Sequence, residues 1–291
     1  MNKSIKFISL VAIFVVLLTA CSTGQKETEH AEKAKYNRII SLMPSNTETL
    51  YELGLGKKVI GVSTVDDYPK AVKDKKQFDA MKLNKEALLK ANPDLILAHE
   101  SQKSTAGDVL KSLSKSGVKV VYVKDAQSIS EMYDTFKQIG KVTGKENQAN
   151  ALVKETKQNI KKIKDSVPKD AKSQKVFMEV SSEPEIYTSG NHTFFNDMLK
   201  TLHAKNSFED VNGWQKVSKE DIIKKNPDIM ISTMGETEKT YAKKVKQRGG
   251  FDKINAVKND KLKAVNGDEI SRPGPRLDDG LKELKEAIYN K

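Results

Sequence analysis

A segment of thirteen residues occurs twice in this chain: KEALLKANPDLIL, residues 85–97, returns as KEDIIKKNPDIMI, residues 219–231, 134 positions later and with six identities. The leucines and the isoleucine of the first copy are answered by isoleucine or methionine in the second. Self-similarity at one fixed offset is the signature of a duplicated structural unit. Each copy reads as a helix that a proline ends, an Asn-Pro-Asp turn, and a short apolar run suited to a buried strand. The chain is therefore expected to fold as two related α/β lobes, with a ligand cleft between them at the strand ends.

The flanking sequence extends this grammar. Residues 38–42 are β-rich, a helix pattern over 46–53 closes at Gly54 and Gly56, and a strand follows at 58–63. A helix over 85–91, a strand at 95–98, a helix over 108–116 and a strand at 118–123 complete the first lobe. Apolar runs of this length between turn signals suit parallel strands covered on both faces. No strand signal occurs over 128–167, where two helical patterns meet at Gly144. The second, over 145–165, is about 30 Å long at ~1.5 Å per residue, enough for a single stiff strut between lobes. Pro168 ends it and a β-rich opening follows at 175–180.

At the N-terminus, Lys3 and Lys6 precede an apolar run over 7–18, too short to span a ~30 Å hydrocarbon core comfortably. The run ends in small residues and then Cys21, the only cysteine, as in an export signal cleaved ahead of a lipid-modified cysteine. Residues 22–35 are polar and read as a flexible tether. The expected organisation is a signal peptide over 1–20, the tether over 21–35, an N-terminal lobe over 36–144, an inter-lobe helix over 145–167 and a C-terminal lobe over 168–291. The body, a monomer, would be held by its lipid on the outer face of the cell membrane. The net charge is +12, yet the lysines are scattered and no basic helix with interleaved aromatics occurs, so no nucleic acid partner is expected.

Enzyme signatures are absent: there is no G-x-S-x-G, no phosphate loop and no H-E-x-x-H, and Gly54 and Gly56 follow a helix rather than open one. A bare transition-metal site would need three or four converging ligands. Of the four histidines, His30 falls in the tether, and His99, His192 and His203 show no ligand spacing. A zinc or manganese binder, and an extracytoplasmic sensor or adhesin, stand as alternatives. Glu86 and Glu220 hold equivalent places early in the repeated helices, after the N-cap candidates Asn84 and Ser218. Two readings fit them: first-turn carboxylates favoured by the helix dipole, or a symmetric pair that meets a dimeric partner.

The segments at 38–69 (RIISLMPSNTETLYELGLGKKVIGVSTVDDYP), the two KE…NPD copies, GWQKVSKE at 213–220 and DEISRPGPRL at 268–277 together resemble the Fe/B12-type substrate-binding proteins of ABC importers, most of all the cobalamin-binding ones. The resemblance covers the chain beyond the tether. It implies two Rossmann-like lobes joined by a rigid helix, a shallow cleft with small closure, and no cofactor of the protein's own. The transported ligand would be a metal chelate, either cobalamin or an iron chelate such as haem or a ferric siderophore. The partners would be a permease dimer with its ATPase, docked through Glu86 and Glu220. It further implies that Tyr68 and Trp214 present rings to the ligand and that Asp268 and Arg272 face the cleft, with Arg276 either packing or pairing an anion. The chain departs from that pattern at His99, where the cobalamin binders carry an aromatic residue. Met81 matches a haem-ligating methionine, so Met81 and His99 are a candidate axial pair. Met43 and Met234 are candidates for cleft lining or core.

Overall fold

The computed structural model describes residues 34–290; Cys21, His30, the export signal and nearly all of the tether lie outside the described residues. Two sheets form the two lobes. In the first, β1 (Ile39–Ser41), β2 (Val59–Ser63), β3 (Lys76–Phe78), β4 (Leu95–His99) and β5 (Lys119–Val123) are all parallel, in the order β3-β2-β1-β4-β5. In the second, β6 (Lys175–Ser181), β7 (Tyr187–Ser189), β8 (Lys205–Asn206), β9 (Trp214–Lys216), β10 (Ile229–Ser232) and β11 (Leu262–Ala264) follow the order β11-β10-β6-β7-β9, with β8 also paired to β6.

The duplication is visible in atomic detail. The first strand of each lobe pairs in parallel with the strand of its repeat, Ile39 beside Leu95 and Val176 beside Ile229. The Asn-Pro-Asp turns act alike: Asn92 and Asn226 both take left-handed backbone (φ 50° and 46°), which asparagine tolerates better than most residues. Asp94 then accepts the Asn37 and Arg38 amides at 2.7 and 2.9 Å, and Asp228 accepts the Lys175 amide at 3.0 Å. A basic side chain from the same position closes each helix end, Arg38 on the Ala91 carbonyl (2.7 Å) and Lys175 on the Lys225 carbonyl (3.0 Å). Each aspartate thus ties the start of a central strand to the turn before its neighbour.

The echo stops on the other side of the central strand. Where the first sheet continues in parallel through β2 and β3, the second continues through antiparallel β7 and β9, so the second lobe is mixed.

The helix expected over 145–167 is observed over Glu146–Asp165, 20 residues, with Glu146 in its first turn and Lys162 and Lys164 in its last, the charge order that a helix dipole favours. It runs against the preceding helix, Ile129–Thr143, from which it is separated by Gly144 at φ 70°. Gly140 permits the close approach, since a Cβ there would lie 2.4 Å from that of Ala149. Helix Ile129–Thr143 belongs to both cores: Met132, Tyr133 and Phe136 pack with Met178, Phe195 and Leu281 of the second lobe, while Ile139 packs with Ile39 and Leu95 of the first. Among the described residues no helix is long and apolar enough to cross a membrane.

Candidate ligand-binding site

Loops at the carboxyl ends of β1, β2, β4 and β5 face the second lobe across a cavity of about 370 Å³. The first lobe supplies Met43, Pro44, Ser45 and Asn46, then Val65, then His99, and Lys124 to Gln127. The second lobe supplies Phe194, Trp214 and the 271–273 segment. Open α/β sheets place their ligand sites at such strand ends. Among the described residues four large apolar or aromatic side chains stand exposed: Val65, Tyr68, Met81 and Trp214. Val65 and Trp214 belong to the cavity wall, Trp214 at 48 % exposure with its ring held edge-to-face by Phe195 at 5.3 Å. Tyr68 stands beside the wall, its ring under the Arg276 guanidinium at 4.2 Å.

Arg272 reaches the wall but is occupied. Its guanidinium donates to Asp67 (2.6 Å), Asp268 (2.8 Å) and Glu48 (3.4 Å), and to the Val65 carbonyl at 3.5 Å. Arg276 grips the same Glu48 with two nitrogens, at 2.9 and 2.7 Å, and donates to Glu269 at 3.3 Å. Glu48, 2 % exposed, stands on the first-lobe helix Pro44–Glu52, and both arginines come from the second lobe, so the lobes are latched across the rear of the cleft. Burial pulls the Arg272 pKa down, but Asp67, Asp268 and Glu48 outweigh it, and both guanidinium pKa values stand above the ordinary one. Nearby Asp66 anchors the loop after β2 by accepting the Ser63 amide (2.9 Å) and hydroxyl (2.5 Å), and burial raises its pKa. Glu48 and Asp67 went unseen in the sequence because their partners lie more than 200 positions away.

His99 lies on the wall with both ring nitrogens engaged inside its own lobe, Nδ1 with the Ser101 hydroxyl (2.8 Å) and Nε2 with Asp125 (3.4 Å). That pairing holds the Asp125 carboxyl below the usual carboxylate range. Met81, 77 % exposed, is not part of the wall, so the structure does not bring it together with His99 there. Met43 lines the cavity; Met234 packs in the second-lobe core. His192 and His203 sit exposed on left-handed backbone outside the cavity, and among the described residues no group of three or more His, Cys, Asp or Glu side chains is placed to hold a metal ion.

Glu86 and Glu220 occupy matching exposed sites in the first turns of helices Lys85–Lys90 and Lys219–Lys225. The caps are as the sequence indicates: Asn84 accepts the Ala87 amide (2.8 Å), and Ser218 forms a reciprocal box with Asp221. Neither glutamate enters an ion pair among the described residues, which leaves both carboxylates available to a partner.

Residues 39–268 match the family described as periplasmic binding protein. The chain is 45 % identical over 259 residues to an uncharacterized ABC transporter substrate-binding lipoprotein of Bacillus subtilis, YvrC, covering 88 % of this chain and 81 % of that one. It is 26 % identical over 285 residues to a cobalamin-binding protein of Halobacterium salinarum, covering 93 % and 76 %. A solved structure of a possible iron-binding, periplasmic solute-binding protein from Staphylococcus epidermidis is 67 % identical, covers 88 % of this chain and 100 % of its own, and superposes with a TM-score of 0.82.

Proposed function

The chain belongs to the periplasmic binding protein family, and from that premise we propose that it is the lipid-anchored, extracytoplasmic substrate-binding component of an ABC importer. In this reading it captures a metal-chelate cofactor, a corrinoid of the cobalamin type or an iron chelate, and delivers it to a permease dimer and its ATPase. The family is one of binding proteins rather than enzymes. The observation that carries the ligand class is the half-exposed indole of Trp214 on the wall of a cleft between two lobes. A ring braced edge-on by Phe195 and bare on its outer side offers a flat macrocycle a preformed apolar face. The match with a cobalamin-binding protein supports the corrinoid; the Staphylococcus epidermidis relative supports iron.

Anchoring through Cys21 is supported by the export-signal pattern and by the lipoprotein name of the Bacillus subtilis relative. Permease docking through Glu86 and Glu220 is supported by their matched, unpaired exposure on the two lobes. Trp214 is the only tryptophan, so its fluorescence reports the site directly. Titration of the purified protein with cyanocobalamin, haemin and a ferric siderophore should quench it saturably for one of them, and Trp214→Ala, followed by calorimetry because it has no indole, should weaken that binding about tenfold. Absence of saturable quenching and of calorimetric heat with all three would end the reading.

A further inference from the structure

We propose that the N-terminus of helix Pro44–Glu52 is a subsite for an anionic oxygen group on the ligand, a phosphodiester or a carboxylate. The inference rests on the binding-protein reading and assigns the ligand a charge that reading does not specify.

Met43, Pro44, Ser45 and Asn46, the start of this nine-residue helix, all line the cavity. Met43 stands at the N-cap and provides no side-chain acceptor, and the first backbone bond inside the helix is from the Thr47 amide to the Met43 carbonyl. The Ser45 and Asn46 amides are therefore left without an acceptor among the described residues. Free amides at a helix start, with the positive end of its dipole, form an anion cradle. Across the cleft, helix Phe194–Thr201 also begins on the wall, yet Thr193 accepts its Asn196 amide at 3.3 Å and fills that position.

A second observation is independent of the backbone. Asn46 is 2 % exposed, lines the cavity, and its Nδ2 is a buried donor with no acceptor. An orphaned buried donor costs about 1–3 kcal/mol, and such groups are rare without a reason. An oxyanion seated at the helix start would supply the missing acceptor. The surrounding charges are compatible. Asp125 is engaged by His99, and Glu48, Asp67 and Asp268 are engaged by the two arginines, whereas Lys124 on the same wall makes no ion pair.

The test uses pairs of probes that differ in the anion, titrated by Trp214 quenching. These are cyanocobalamin against dicyanocobinamide, which lacks the phosphodiester, and haemin against its dimethyl ester, which lacks the carboxylates. The anionic member of the bound pair should bind tenfold or more tightly, since a hydrogen bond to a charged group is worth about one to two decades. Which pair shows it identifies the source of the anion. Asn46→Leu and Asn46→Ala each remove the side-chain donor. In each, the preference should shrink to about threefold or less. Equal binding of both members, or variants that keep the full preference, would overturn the subsite and leave the binding-protein reading standing. Failure to bind any of the four probes or a ferric siderophore would remove both.

Discussion

Replacing Glu48 by alanine should be the most damaging single change at the cleft. Its carboxylate is 2 % exposed and receives three guanidinium N–H groups, two from Arg276 at 2.7 and 2.9 Å and one from Arg272 at 3.4 Å. Breaking a buried pair by deleting one partner costs about 3–5 kcal/mol, mostly because the remaining charge is stranded. Here the cations are not wholly stranded, since Arg272 keeps Asp67 and Asp268 and Arg276 keeps Glu269. The discount leaves roughly 2–3 kcal/mol, which at about 2–4 °C per kcal/mol lowers the melting temperature by some 5–10 °C. Glu48→Gln retains an acceptor and should cost about half as much. Thermal melts of the ligand-free protein followed by circular dichroism provide the assay. A double-mutant cycle with Arg276→Ala should return a coupling of at least about 1 kcal/mol. A Glu48→Ala melt within a degree of the parent, or a coupling near zero, would show that the latch holds nothing.

Exchanging both carboxylates proposed for docking, Glu86→Arg with Glu220→Arg, should abolish uptake in cells while ligand affinity and melting temperature stay unchanged; a parallel loss of affinity would instead assign them to folding. Asp94→Ala and Asp228→Ala should each cost about 0.5–1.5 kcal/mol in denaturant unfolding, because each removes the hydrogen bonding that fixes the start of a central strand. Similar losses at the two sites would express the duplication in energy. The Asp125 carboxyl is depressed first by its bond with His99. A depressed acid contributes stability above its unfolded value, near 3.8, and loses it as the pH falls through the lower folded value. The melting difference between parent and Asp125→Asn should therefore be present at pH 5–6 and fade as the pH falls below the unfolded value; a difference that grows on acidification would contradict the pairing.

The parallel half of each lobe was legible because a buried parallel strand is a continuous apolar run and its helix is closed by a proline turn, both local signals. Residues 95–97 and 229–231 carry them plainly, and the paired registers follow. β7 and β9 were not legible: at three residues each they are too short to show an alternation, and β9 is exposed along its whole length. Trp214 and His99 both lie on the cavity wall. Arg272 lies on the wall and also spends most of its donors on Asp67, Asp268 and Glu48, a network that went unread because ion pairing across 205 and 224 positions leaves no mark on local sequence. The uncapped start of helix Pro44–Glu52 was readable in principle, since Met43-Pro44 offers no N-cap side chain where Asn84, Ser128, Ser218 and Thr237 do so elsewhere.

Helix Ile129–Thr143 is rooted at one end among the residues of one sheet and at the other end among those of its counterpart. A rod clamped in two bodies resists bending far more than a loop hinge does, so the molecule behaves as a fixed-jaw caliper. In the docking proposed above, a partner engaging Glu86 and Glu220 together would meet the same spacing in the ligand-free and the ligand-bound protein, and would have to sense ligand by direct touch at the cleft.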